Sequence, residues 1–324
     1  MTVAEYLTEW LATVVQPNLR WKSYQVYRWA VVGHIIPGLG NKPLAELVPL
    51  DIQRLLVAKR DEGLAQNSLA KIHGALKSAL TTAEQWGLVE TNAARKVSPL
   101  KAGMRRPKPL SRAEVRLLFA AVVGDRLEAL YVLAVTVGMR QGELLGLSWD
   151  DVDLGCGKLF VRQQLQRQSG GPRLVPLKTK ASRRVLNLPV LAIEALEAHR
   201  GRQSVERIQK GVGVPGGWAE TGLVFVNRSG APLDGQRVSK WFHGHLEAAG
   251  LEDRTFHALR HTCASLLVED DVQPKIIQAT LGHSSIQATM EIYAHVSTEV
   301  QVRAARAMDR LLTEGSERGT MGSD

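Results

Sequence analysis

"LGHSSIQATMEIYAHV", residues 281–296, puts His283 in a Gly-His-Ser-Ser turn and a tyrosine, Tyr293, ten residues further on. The residues after the turn read as a helix, and "QPKIIQATLG" before it reads as another. A buried tyrosine would account for Tyr293 cheaply. A nucleophile would account for it too, but only with help. A phenol has a free pKa near 10, so at neutral pH it is protonated and attacks poorly unless fixed cations and a base stand beside it. The question therefore moves outward, to whether the chain supplies a clamp for a phosphate.

Three other stretches hold residues of that kind. In "HALRHT", His257 and Arg260 are three apart on one helix and project from one face, whereas His261 is expected about 100° away and structural. In "TVGMRQGELLGLSW", Arg140 lies between a helix end marked by Gly138 and a new helix start. A guanidinium there can offer its fork to a phosphate beside the N–H groups of the following helix, and Glu143, three residues on, can hold it. In "PLKTKASRRV", Lys178 and Lys180 fall at a turn or edge of a predicted sheet, where a lysine can reach a cleft and protonate a leaving oxygen. Each stretch also has a plain structural reading. Arg140–Glu143 can be a surface pair, His257 a satisfied helical histidine, and the lysines beside Arg183 and Arg184 a basic patch. No Asp-rich motif points to a metal, and His257, His261 and Cys263 lack a fourth ligand for zinc. Without a metal, fixed arginines carry more of the charge stabilisation.

The chain around these stretches reads as mainly α with a small antiparallel β-sheet, an α+β arrangement in two domains, as 324 residues allow. Residues 1–95 show four helices. Val3, Leu7, Trp10, Leu11 and Val14 share a face of the first. Ser23 is a candidate cap for "YQVYRWAVVGHII", which is expected to end at Pro37-Gly38. "PLDIQRLLVAKRDEG" and "NSLAKIHGALKSALTTAEQWG" supply the other two. A second domain, 110–312, opens on a Ser111/Glu114 capping-box pattern. Alternation in "KLFVRQQLQ", "PRLVPLK" and "RRVLNLP" predicts about three strands, and "GLVFV" a further short one. From Asp234 the chain reads as helical again, through a last helix "EVQVRAARAMDRLLTEG" to a polar tail, 313–324.

Net charge is +9 and the pI about 9.7, which favours a polyanionic partner, nucleic acid before an anionic membrane. Between the domains, a linker at 96–109 with the preceding Arg95 carries Arg95, Lys96, Lys101, Arg105, Arg106 and Lys108, three prolines and no acidic residue. It reads either as a solvated connector or as a strap laid along phosphates. Cys156 and Cys263 suggest no disulfide framework. No apolar run reaches the roughly 18 residues of a membrane span and no leader opens the chain, so a cytoplasmic protein is expected.

Taken in order, "TVGMRQGELLGLSW", "PLKTKASRRVLNLP", "FHALRHTCASLL" and "LGHSSIQATMEIYAHV" resemble the tyrosine recombinases, most closely the phage and conjugative-element integrases, over about residues 110–310. The resemblance implies that Arg140 and Arg260 clamp the scissile phosphate and that His257 accepts a proton. It implies that Lys178, with Lys180 as the alternative, protonates the leaving 5′ oxygen, that His283 bonds the phosphate, and that Tyr293 forms the 3′-phosphotyrosyl bond. It further implies no cofactor and a helical core-binding domain closing with the catalytic domain around double-stranded DNA. Four protomers would work on two DNA sites, aided by directionality or DNA-bending accessory proteins in a bacterial host cytoplasm. Many such integrases carry an arm-binding module before the core-binding domain. The first helix expected here starts at Thr2, so that module is expected to be lacking. The competing readings are a type IB topoisomerase and a non-catalytic DNA-binding regulator with the same fold.

Overall fold

The computed structural model describes residues 1–98, 108–177, 182–283 and 285–293. The chain divides into two compact units, Met1–Arg105 and Arg106–Asp324. The last expected helix and the polar tail lie outside the described residues.

The first unit is helical. Thr2 and Glu5 form a capping box ahead of Val3–Trp10. The helix then widens into a π turn, Leu11–Val15, before Gln16–Asn18, and the second helix repeats the device with Trp21–Ala30, Val31–Ile35 and Ile36–Leu39. In both, an i→i−5 bond (Gln16 to Leu11, Ile36 to Val31) falls one residue before a proline, Pro17 or Pro37. A proline removes one donor and crowds the carbonyl four residues back, and a widened turn relieves that crowding. The second helix therefore runs through Pro37-Gly38 rather than ending there. Nor is Ser23 its cap: the helix starts at Trp21 after an extended Arg20, and no side chain caps it. Pro49–Asp61 and Gln66–Gln85 complete the unit, around a core that includes Tyr6, Trp10, Ile35, Ile52 and Leu76.

Residues assigned to the linker belong in part to this unit. Arg95 and Lys96 sit in a 3₁₀ turn, Ala93–Lys96, whose Ala94 carbonyl is bound by His73 Nε2 at 2.9 Å. Arg95 pairs with Glu84 at 2.8 Å, so it has the acidic counterpart that its own segment lacks.

The second unit packs helices around the apolar Glu128–Thr136, every residue of which from Ala129 to Val135 is buried. Among the described residues its β structure is two sheets rather than one. Strands β1 (Val152–Asp153), β2 (Lys158–Val161) and β5 (Arg184–Asn187) form an antiparallel sheet in the order β1-β2-β5, while β3 (Gln163–Gln168) and β4 (Gly171–Pro176) form a separate hairpin. The alternation read as one strand breaks at Arg162 because the hairpin turns to lie on the helix Gln141–Leu145. Gly146 permits the approach: a Cβ there would stand 2.7 Å from the backbone N of Leu165. "GLVFV" is no strand. Leu223, Val224, Phe225 and Val226 are apolar because they are buried, and only isolated bridges, Ser148 to Leu223 and Val226 to Pro232, involve them. The longest helix among the described residues, Val190–Lys210, is not among the expected elements. It contributes only Ala192, Ala195, Leu196 and His199 to the interior, a narrow stripe on a charged helix. Helices Gly235–Ala248, His257–Glu269 and Pro274–Leu281, and the helical residues 286–293, follow as expected.

Candidate active site

Arg140 is an extended residue just before the helix Gln141–Leu145. Its backbone N–H donates to Glu143 Oε2 at 3.0 Å and its Nη1 to Glu143 Oε1 at 2.7 Å, so one carboxylate caps the helix and holds the guanidinium. Arg140 Nη2 donates to the Gly282 carbonyl at 3.0 Å, which ties it to the turn that carries His283. Glu143 also receives Arg184, whose Nη2 donates to Oε2 at 2.9 Å, while Arg184 Nε reaches the Thr280 carbonyl at 2.7 Å. Burial alone would raise the Glu143 pKa. The hydrogen bond and charge of Arg184, with those of Arg140, outweigh it and hold the carboxyl below its usual range. The two arginines differ in reach. Arg184's side chain is 6% exposed and Arg140's 37%, so Arg140 is the more open of the two to solvent.

Arg260 is buried on the helix His257–Glu269. Its Nη1 donates to the Gly138 carbonyl at 2.8 Å, and its buried Nη2 has no hydrogen-bond partner among the described residues. Gly138 must be glycine on two counts: its φ is +61°, and a Cβ would stand 2.4 Å from Leu281 Cδ2. Burial, then the Arg140 charge, pushes the Arg260 pKa down to about 9, which still leaves it a cation at neutral pH. His257 lies at the solvent edge of this group. His261 does not point away from it: their rings meet edge to face at 4.9 Å, since positions i and i+4 share a helix face. Partial desolvation, then the His261, Arg260 and Arg140 charges, keeps the His257 imidazole well below its ordinary pKa and therefore neutral.

His283 follows Gly282, a left-handed residue (φ +66°) that ends helix Pro274–Leu281. His283 Nδ1 and Thr289 Oγ1 are 2.9 Å apart, and burial, then the charges of Arg260 and Arg140, lowers the imidazole pKa to about 4. Tyr293 stands on the helical residues 286–293, half-buried against the cluster of Cys263, Val268, Ile277 and Leu281. Its hydroxyl donates to the Val272 carbonyl, and among the described residues no hydrogen bond joins it to Arg140, Arg260 or His283. Burial, then Asp271, raises its pKa. Thus two guanidinium groups hold one carboxylate, the Arg260 guanidinium and two neutral imidazoles feel the Arg140 charge, and the phenol is bound to the Val272 carbonyl.

The family model described as "Phage integrase family" matches residues 108–299, and its "N-terminal SAM-like domain" matches 2–59. The chain belongs to the phage integrase family. This integrase is 31% identical to an integrase of Streptomyces ambofaciens over 98% of this chain and 82% of that protein. It is 29% identical to the tyrosine recombinase XerC-like protein of Caldanaerobacter subterraneus over 96% and 83%. Its fold is that of the Tn1549 transposon integrase in complex with a circular intermediate DNA, at a TM-score of 0.81 and 22% identity over 96% of this chain and 99% of that one.

The remaining expected site residues of the integrase fall in three groups. Lys178, Lys180, Lys101, Arg105 and Arg106 lie outside the described residues. Lys108 is exposed and pairs with Glu252 at 3.3 Å. Arg95 and Lys96 are on the folded turn of the first unit. The residue that sequence reasoning passed over is Arg184. It was one arginine of an adjacent pair, and only its burial against Glu143 separates it from Arg183. Among the described residues, no group of three His, Cys, Asp or Glu side chains is placed to hold a metal ion, and no helix is long and apolar enough to cross a membrane.

Proposed function

We propose that this integrase is a site-specific recombinase that cuts and rejoins double-stranded DNA through a 3′-phosphotyrosyl link and a Holliday junction, integrating or excising a mobile element. The observation that carries the reading is the charge balance of the site. Arg140 and Arg184 pair with one carboxylate, Glu143, while among the described residues the buried Arg260 makes no ion pair and its Nη2 has no hydrogen-bond partner. Buried cations of like sign raise one another's energy, and an anion entering between Arg140 and Arg260 relieves that repulsion. A DNA phosphate is such an anion.

The residues then take these roles. Arg140 and Arg260 hold the non-bridging oxygens of the scissile phosphate, and His283 donates a further hydrogen bond. Tyr293 leaves the Val272 carbonyl and its oxygen attacks phosphorus. The phenolic proton passes to the neutral His257, and the bond to the 5′ oxygen breaks as Lys178 (Lys180 is the alternative) protonates it. The phosphotyrosyl link keeps the energy of the phosphodiester, so a 5′ hydroxyl from another strand rejoins it by the reverse step without ATP. Residues 1–95 act as the core-binding domain, the basic residues of 96–109 track phosphates, and 110–312 carry the chemistry. Four protomers act on two DNA sites in the cytoplasm, with directionality or DNA-bending proteins as further partners.

The test is covalent trapping on a nicked suicide substrate. The wild-type chain is expected to form a 3′ adduct, and Tyr293→Phe to bind the DNA without forming one; an adduct that persists in that variant removes Tyr293 as nucleophile. Recombination between two plasmid sites separates this reading from a topoisomerase, which relaxes supercoils alone, and from a non-catalytic regulator.

A further inference from the structure

A cavity of about 910 Å³ opens in the second unit between the end of helix Val190–Lys210, the turn at 227–229 and one face of helix Gly235–Ala248. It shares no residue with the arginine site. Its floor is apolar, made by buried Leu127 and Tyr131 and by Trp241, which is 43% exposed. Its rim is cationic. Lys210, Arg228, Arg237 and Lys240 are exposed, and among the described residues none of the four makes an ion pair. The other charged groups at the wall are already committed: Arg126 is bound by Glu206 at 2.6 Å, and Asp125 faces His245 at 3.7 Å.

Tyr131 supports the floor from beneath: its ring is fully buried, packed on Phe242 and Phe256 with the His245 ring at its edge.

We propose that this cavity docks an extended acidic segment of a partner protein. A bulky apolar side chain covers the floor against Trp241, and carboxylates meet the rim cations. The arrangement disfavours the alternatives. The four cations come from three separate segments and ring the cavity, which suits carboxylates spaced along a chain better than one phosphate. Duplex DNA could bridge the rim but would lay nothing on the apolar floor.

The test uses the full-length chain and two labelled octapeptides, EEELLEEE and EEEGGEEE, read by fluorescence anisotropy. The leucine peptide is expected to bind with Kd on the order of 10 µM and the glycine peptide about tenfold more weakly, since two buried leucines distinguish them. R237E/K240E and, separately, the surface variant Trp241→Ala are each expected to weaken the leucine peptide about tenfold, with thermal unfolding unchanged. No binding, equal binding of the two peptides, or indifference to R237E/K240E overturns the proposal. Displacement by a 20-base-pair duplex whose own binding is lost in Trp241→Ala assigns the surface to DNA and overturns it equally.

Discussion

Glu143 shows how much of this site depends on a single side chain. It is 1% exposed and accepts from both Arg140 and Arg184, so removing either partner leaves a buried carboxylate short of a cation. Arg184→Ala should cost about 3 kcal/mol in urea unfolding, within the range for a broken buried pair. Arg184→Lys should recover only part of it, because an ammonium cannot also bind the Thr280 carbonyl. Arg260→Ala removes a donor aimed at the phosphate and should slow adduct formation about 10²- to 10³-fold with DNA binding largely kept; near-wild-type cleavage would remove Arg260 from the clamp. The imidazoles give a pH signature in the DNA-free protein. His283 has a folded pKa of about 4 against an ordinary value of 6.5, so between those values the unfolded chain binds more protons and stability rises with pH. The melting temperature should therefore fall as pH drops from 6.5 towards 4, and less steeply in His283→Asn. An unchanged slope would deny that His283 is held neutral. The catalytic candidates were legible because each stands in a motif of ordered spacing. Arg184 was not, since burial, which sets its role, leaves no mark on a run of two arginines.

Between residue and domain, legibility followed the length and regularity of the pattern. The helices with broad apolar stripes could be read, as could the capping box at Ser111 and the stop at Gly138, because caps and left-handed residues act locally. The split at Arg162 could not be read, because the alternation continues through it and only the packing of the β3–β4 hairpin onto Gln141–Leu145 breaks the strand. The end of the second helix was misjudged for the opposite reason: Pro37 looks like a stop, but a π turn absorbs it. The hairpin contact is open to a direct test. Gly146 has φ −97°, so alanine meets no backbone strain there, only the Leu165 and Gln164 backbone at 2.7 to 2.8 Å. Gly146→Ala should therefore destabilise by about 1–3 kcal/mol through overpacking and slow cleavage, since the helix it distorts begins beside Arg140. Gly244→Ala, where a Cβ would meet nothing within 4 Å, is the matched control and should be neutral or slightly stabilising.

At the scale of the whole molecule, cores and chemistry are divided differently. Each unit has its own apolar cluster, so each meets the first requirement for folding alone. Every described residue of the arginine site, together with Tyr293, belongs to the second unit. Charge is shared instead: residues 1–105 hold thirteen Lys and Arg against eight Asp and Glu, so much of the excess positive charge belongs to the first unit. Electrostatic affinity for DNA scales with the phosphates neutralised, whereas the rate of the chemical step depends on groups touching the reacting atoms. The two functions should then come apart on truncation. A fragment of residues 106–324, first shown by thermal unfolding to be folded, should still form the Tyr293 adduct on a suicide substrate at saturating concentration. It should bind the same DNA more weakly, with a shallower dependence of log K on log salt. Loss of adduct in a folded fragment that still binds DNA would mean that the first unit takes part in assembling the site. A salt slope equal to that of the full chain would mean that its basic residues do not reach the phosphates.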